Sequence, residues 1–179
     1  MESGQSVESA LIVPCPAADP ALGHHRARLD RAAEVGVPAH VTVLYPFRPE
    51  PAVDDDERLR ALLAAVPAWT TCFDRTAWFD DAVLYLAPAD PAPFVELTAV
   101  VAAAFPEHPP YGGAFATVVP HLTVGSSERD VDALRAAERA VLPRLPIEQA
   151  VDHVELWCGP ALATAPAASW RRRASYRLG

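Results

Sequence analysis

One short phrase occurs twice in this chain, and it constrains the fold more than any other feature. The first copy reads Pro38-Ala39-His40-Val41-Thr42-Val43-Leu44-Tyr45-Pro46-Phe47; the second reads Val118-Val119-Pro120-His121-Leu122-Thr123-Val124-Gly125. Each is a histidine, an aliphatic residue, a threonine and a valine, with a proline just upstream. Period-two alternation of aliphatic and β-branched residues predicts a strand. On a strand, residues i and i+2 share a face, about 7 Å apart. His40 and Thr42 are therefore expected to point one way and Val41 and Val43 the other, into a core. His121 and Thr123 repeat the arrangement against Leu122 and Val124.

Two such units facing each other suit one kind of chemistry. In-line displacement at a phosphodiester needs a base on the attacking oxygen and an acid on the leaving oxygen, approaching phosphorus from opposite sides. Imidazoles serve near neutral pH because their ordinary pKa lies close to it. A threonine hydroxyl two residues along can donate a hydrogen bond to a non-bridging phosphate oxygen as charge builds there.

Taken in order, the chain predicts a strand at Ser9–Val13, a helix from Asp19 to Glu34 stopped by Gly36, and the first motif strand ending at Pro46. A helix from Asp54 to Val66 follows, its acidic first turn matched to the helix dipole rather than to a metal ion. Thr70–Phe79 and Ala82–Leu86 read as a hairpin joined at Asp80-Asp81. Pro91 opens a helix through Ala104, and a loop rich in Pro, Gly and aromatics leads from Phe105 into the second motif strand. Ser127 caps a helix from Glu128 to Leu142, and Ile147–Cys158 and Trp170–Leu178 close the chain as strands. The pattern is a duplicated α+β layout: two lobes, each a small, mainly antiparallel sheet flanked by helices, with a cleft between them. No disordered linker interrupts it, so residues 1–179 read as a single domain.

The chain resembles the 2H phosphoesterase superfamily, also called the 2'-5' RNA ligase or cyclic phosphodiesterase family. The residues that carry the resemblance are His40-Val41-Thr42-Val43 and His121-Leu122-Thr123-Val124, with Tyr45-Pro46-Phe47 after the first motif and Pro109-Pro110-Tyr111-Gly112-Gly113 before the second. With the order of elements it covers Ser9 to Leu178. It implies a bilobal, pseudo-twofold fold with the site between lobes. The activity it implies is metal-independent hydrolysis of a 2',3'-cyclic nucleotide or RNA end, or of the cyclic phosphate of ADP-ribose, without a cofactor. His40 and His121 become the catalytic pair, His121 as base and His40 as acid by analogy, with Thr42 and Thr123 clamping the phosphate. Run backwards, with a ribose hydroxyl in place of water, the same site ligates RNA ends. Several bacterial RNA-ligase-like relatives carry a basic residue soon after the second motif. Gly125-Ser126-Ser127 stands there in this chain, which weakens the expectation of RNA-end binding and ligation.

Around that pair, Tyr45, Phe47, Tyr111 and Trp157 are candidates to stack on a base. Tyr111 stands out because prolines and glycines beside it mark a shaped, exposed loop. Strand alternation places Arg171, Arg173 and Arg177 on one face with Ser175, where Arg173 either holds phosphate or solubilises a sheet edge. His24 and His25 diverge around a helix and read as surface residues, and Arg26, Arg28 and Arg31 as a solvated helix face; His108 and His153 match no motif.

Composition narrows the partners. The net charge is -8 and all 15 basic residues are arginines, an unfavourable balance for gripping a long nucleic-acid backbone. A nucleotide or an RNA end remains a suitable ligand. Cys15, Cys72 and Cys158 are too far apart for a zinc signature and read as reduced thiols. Met1–Ser6 lacks the basic and apolar regions of a signal peptide, and no stretch approaches membrane-spanning length. A monomeric cytoplasmic protein is expected. Two other classes stay open: a non-catalytic nucleotide or RNA-end binder on the same scaffold, and a metal hydrolase using the two histidines with carboxylates.

Overall fold

The structure is a computed structural model that describes residues 6–48 and 50–179. The reading of Met1–Ser6 therefore falls, Ser6 apart, outside the described residues. Among the described residues there are eight strands: β1 (Val7–Pro14), β2 (His40–Leu44), β3 (Trp69–Phe79), β4 (Val83–Pro88), β5 (Leu122–Ser126), β6 (Ile147–Val151), β7 (His153–Pro160) and β8 (Arg171–Arg177). They form one sheet in the order β6-β3-β4-β5-β2-β1-β7-β8, every neighbouring pair antiparallel. The two motif strands meet at its centre through one residue pair, Val41 opposite Leu122. The two small sheets expected from the sequence are thus the two halves of one sheet, four strands each, joined where the motifs lie.

The helices are α1 (Asp19–Leu29), α2 (Arg31–Glu34), α3 (Val53–Ala64), α4 (Ala92–Ala104) and α5 (Ser127–Val141). Helix α1, which follows β1, packs on β5 of the other half, and α4, which follows β4, packs on β2. The exchange repeats under the pseudo-twofold relation and locks the halves together. The main core runs through both, taking Val41 and Val43 from β2, Leu122 and Val124 from β5, Leu29 from α1, Leu97 and Val101 from α4 and Leu134 from α5. Alternation then leaves the opposite face of β2 and β5 to the motif histidines and threonines.

Three boundaries differ from the sequence reading, each for a local reason. The predicted helix from Asp19 to Glu34 breaks at Asp30, which is extended (φ -117, ψ 119) and whose carboxylate accepts the Ala32 N–H at 3.0 Å to start α2. The predicted strand from Ile147 to Cys158 is two strands separated by Asp152 alone. β6 and β7 stand six steps apart in the sheet yet are joined by a residue that spans only about 3.5 Å, so the sheet must curl until these ends approach. The cap of α5 is Ser126, whose Oγ accepts the Glu128 N–H at 3.4 Å, rather than Ser127.

The acidic start of α3 works as expected: the Asp55 carboxylate accepts the Ala52 N–H at 2.8 Å. Among the described residues no three His, Cys, Asp or Glu side chains gather as a metal would require, and the three cysteines are unpaired. Among the same residues no helix is long and apolar enough to cross a membrane.

Gly125 shows how closely α1 is pressed onto β5. A Cβ there would lie 2.5 Å from Leu29 Cβ, 2.9 Å from Leu134 Cδ1 and 3.0 Å from the Leu29 carbonyl oxygen. Gly125→Ala is therefore expected to push α1 off the sheet and to cost about 1–3 kcal/mol, as overpacking does. Urea denaturation reads this directly; an unchanged midpoint would mean that the helix is not seated as described.

Candidate active site

The four motif side chains come together because of one register. With Val41 opposite Leu122, antiparallel pairing sets His40 opposite Thr123 and Thr42 opposite His121. Opposed side chains lie about 4.5–5.5 Å apart, and the two histidines, on the diagonal, about 7–8 Å. Val41 and Leu122 are buried beneath, and all four polar side chains are half-buried on the other face. The result is a four-cornered set with imidazole and hydroxyl alternating.

Each imidazole is oriented in the same way. His40 Nδ1 lies 2.8 Å from the carbonyl of Pro38, and His121 Nδ1 lies 2.7 Å from that of Val119. A carbonyl only accepts, so Nδ1 carries the proton in both rings and each Nε2 is left free for chemistry. The upstream residues of the two motifs thus supply equivalent carbonyls, two positions before each histidine.

The two rings differ electrostatically. Burial, and next the guanidinium of Arg26, lower His40 to about 4; the Pro38 carbonyl and Asp30 act in the opposite sense, and His121 adds a smaller lowering. His121 is also lowered by burial, against the raising effect of the Val119 carbonyl. Arg26, assigned from sequence to a solvated helix face, is in fact buried. Its Nε and Nη2 donate to Asp30 Oδ2 at 3.1 and 2.7 Å.

His121 sits in an aromatic wall. Phe79 meets it edge-on at 4.9 Å between centroids, Tyr85 at 5.6 Å, and these two rings stack on each other at 4.3 Å. Beside them opens a cavity of about 640 Å³, lined by Trp78, Phe79, Tyr111, Phe115, Val119 and His121 among others. Tyr111 has φ +52 and ψ +35, and its N–H donates to the Tyr45 carbonyl at 2.6 Å, which ties this loop to the end of the first motif. Burial raises its phenol, while a hydrogen bond with the Thr42 side chain lowers it. On the His40 side the space is far smaller, about 90 Å³, bounded by Thr42, Tyr45, Ile12, Val37, Leu162 and Trp170 among others. Tyr45 donates its hydroxyl proton to Glu8 Oε2 at 2.6 Å.

Of the residues singled out from sequence, His40, Thr42, His121, Thr123, Tyr45 and Tyr111 thus border one region. Two do not. Phe47 is 2% exposed, packed edge-on against Phe105 and His108 in the core, and cannot reach a base. Arg173 donates to the Pro51 carbonyl at 3.2 Å and borders a separate cavity with Asp56 and Tyr176 beside α3. A register shift between Leu156 and Trp157 defeats simple alternation along β8. That strand also stands three places from β2, about 14 Å at the usual strand spacing. Trp157 is tied by its indole N–H to Glu155 at 2.8 Å. Sequence reasoning missed Phe79, Tyr85 and Phe115. The hairpin strands that carry the first two were recognised, but only cross-strand pairing shows Tyr85 opposite Thr123.

A curled antiparallel sheet with flanking helices and a paired His-x-Thr set at its centre defines the two-histidine phosphoesterase class. The family model of the 2'-5' RNA ligase superfamily matches residues 13–158, and the chain belongs to that family. Membership supports phosphoesterase-type activity. No curated protein matches the chain in sequence. Among solved structures, TT0787 of Thermus thermophilus aligns over 96% of this chain and 97% of its own, with a TM-score of 0.65 and 18% identity. E. coli LigT complexed with NADP+ aligns over 98% and 99%, with a TM-score of 0.58 and 17% identity. LigT complexed with 3'-AMP aligns over 97% and 98%, with a TM-score of 0.58 and 16% identity. At such identities the likeness is one of fold.

Proposed function

We propose that the protein is a metal-independent phosphodiesterase that opens a ribose 2',3'-cyclic phosphate, with His40 and His121 as proton carriers. The observation that supports this reading is the register at β2 and β5, by which two Nδ1-anchored imidazoles and two threonine hydroxyls share one face of the sheet. Nucleotides bound to the related LigT fold lend support to a small nucleotide as ligand.

The unequal surroundings support a division of labour opposite to the one the resemblance implies. The large cavity on the His121 side suits a nucleoside, which places the departing ribose oxygen beside His121. The small space on the His40 side suits water. His40, held neutral over the wider pH range, takes the proton from water as its oxygen attacks phosphorus. The bond from phosphorus to a ribose oxygen breaks, and His121 donates the proton that this oxygen gains. Thr42 and Thr123 donate hydrogen bonds to the non-bridging oxygens, where charge increases in the transition state.

Turnover requires one imidazole neutral and one protonated, and that state is most populated between the two pKa values. The pH profile of kcat/KM is therefore expected to be bell-shaped, rising through about pH 4 and falling below pH 6.5, the ordinary imidazole value. Multiple turnover of 2',3'-cyclic AMP, followed across the acidic and neutral range with and without EDTA, tests both the profile and independence from metal. Tight binding without product would favour the non-catalytic binder, and loss of activity in EDTA would favour the metal hydrolase.

A further inference from the structure

The cleft is closed on one side of the phosphate space. The connection between β7 and β8, residues 161–169, and Trp170 after it fold over the face of β1 and β2 that carries His40. There Ile12, Val35, Val37, Ala165 and Trp170 form a second small apolar cluster with Leu162 packed against it. This segment is fastened along its length. Glu8 Oε2 accepts the Leu162 N–H at 2.9 Å and the Tyr45 hydroxyl at 2.6 Å. Arg31, half-buried, donates from Nε to the Leu162 carbonyl at 3.1 Å and from Nη2 to the Ala165 carbonyl. Ala168 and Trp170 donate their N–H groups to the carbonyls of Glu34 and Val35, each at 2.9 Å. The Trp170 indole lies against Gly159, where a Cβ would fall 2.3 Å from Cδ1.

On the other side, the corresponding space by His121 is an open cavity of about 640 Å³ with the exposed ring of Phe115 at its edge. Pockets that enclose ligands of nucleoside size run to about 300–1,000 Å³. The space by His40, about 90 Å³, falls well short and is lined by apolar side chains apart from His40, Thr42 and Tyr45. It admits water, whose share of liquid volume is about 30 Å³.

We infer that the wall formed by residues 161–170 restricts the site to phosphoesters that carry a single nucleoside, so that water attacks and a second ribose cannot. The inference rests on the phosphodiesterase reading above and makes this chain a hydrolase of cyclic phosphates that neither cleaves nor forms a linear 2'-5' linkage. In a cyclic phosphate both ester oxygens belong to one ribose, which the His121 side accommodates. In ligation the second nucleoside's 5'-hydroxyl must replace water on the His40 side. In the reverse cleavage, where the 3'-hydroxyl attacks from the His121 side, the departing 5'-oxygen needs that same place.

Two substrates separate the cases: 2',3'-cyclic AMP and the 2'-5'-linked dinucleotide of adenosine. The wild type is expected to favour the cyclic compound by at least 100-fold in kcat/KM. Leu162→Ala, and separately a variant with residues 161–169 replaced by a short Gly/Ser link, are expected to reduce that preference at least tenfold, chiefly by admitting the dinucleotide. Calorimetric binding of adenosine 3'-monophosphate and of the dinucleotide supplies a readout independent of turnover. The monophosphate is expected to bind at least tenfold tighter to the wild type, and the gap to narrow in Leu162→Ala. Comparable wild-type affinity or turnover for the two compounds, or a preference that neither variant changes, overturns the inference. Failure to hydrolyse the cyclic phosphate at all, with the binding difference intact, instead removes the catalytic reading and leaves the wall standing.

Discussion

His121→Ala and His40→Ala are each expected to lower kcat/KM for 2',3'-cyclic AMP by about 10²–10⁴-fold, the usual scale for losing a positioned acid or base. Neither change should unfold the protein, because both rings are half-buried on the face turned away from the main core while their strands are held by Val41, Val43, Leu122 and Val124 beneath. The pair acts on a single phosphate, so removing both is expected to cost little more than removing one. The limbs of the pH profile should also part company: each single variant loses the limb that belongs to the missing ring. Full activity in either variant would remove that histidine from the chemistry.

The largest stability effect is expected at a residue outside the motifs. Arg26 and Asp30 form a buried ion pair behind His40, with side chains 5% and 8% exposed. Arg26→Met leaves Asp30 as a buried carboxylate with only the Ala32 N–H as partner. Breaking such a pair costs about 3–5 kcal/mol, a large share of the about 5–15 kcal/mol typical of a domain. Replacing both members, Arg26→Met with Asp30→Leu, is expected to recover a large part of it, because the penalty lies in the unpaired charge. The same single change has a sign at the active site. Removing the positive charge, and leaving Asp30 uncompensated, both stabilise protonated His40, so its pKa rises from about 4 and the acidic limb of kcat/KM moves to higher pH. Denaturation curves for the wild type and the two variants, with one pH profile, check these statements together. Equal stability of the single and wild-type proteins would contradict the burial of the pair.

The shared face of His40 with Thr42, and of His121 with Thr123, was legible because its signal is local: a period of two fixes which side chains point the same way. Most helices were legible too, since Leu59 and Leu63 of α3, or Leu134 and Val141 of α5, carry their own spacing. What escaped depends on contacts distant in sequence. The two half-sheets fuse through one pair, Val41 with Leu122, that no local pattern announces. Phe47 and Tyr45 look alike as aromatic neighbours of the first motif, yet Phe105 and His108 enclose one while the other remains at the cleft. Arg26 looked like one more helix arginine; Asp30 stands one turn on, within ordinary helical reach, but the burial of the pair depends on packing that the helix alone does not announce. A single register shift between β7 and β8 was enough to undo an argument from alternation at Arg173.

Whether both imidazoles answer to one phosphate is the most direct test of a shared site. Nitrogen and proton NMR of the histidine rings during titration with adenosine 2'-monophosphate measures this. The Nε2 signals of His40 and His121 are expected to shift together along one saturation curve, with both pKa values rising as the anion binds. If one ring moves while the other stays, or the two saturate at different ligand concentrations, the rings do not share an anion and the proposed mechanism is wrong.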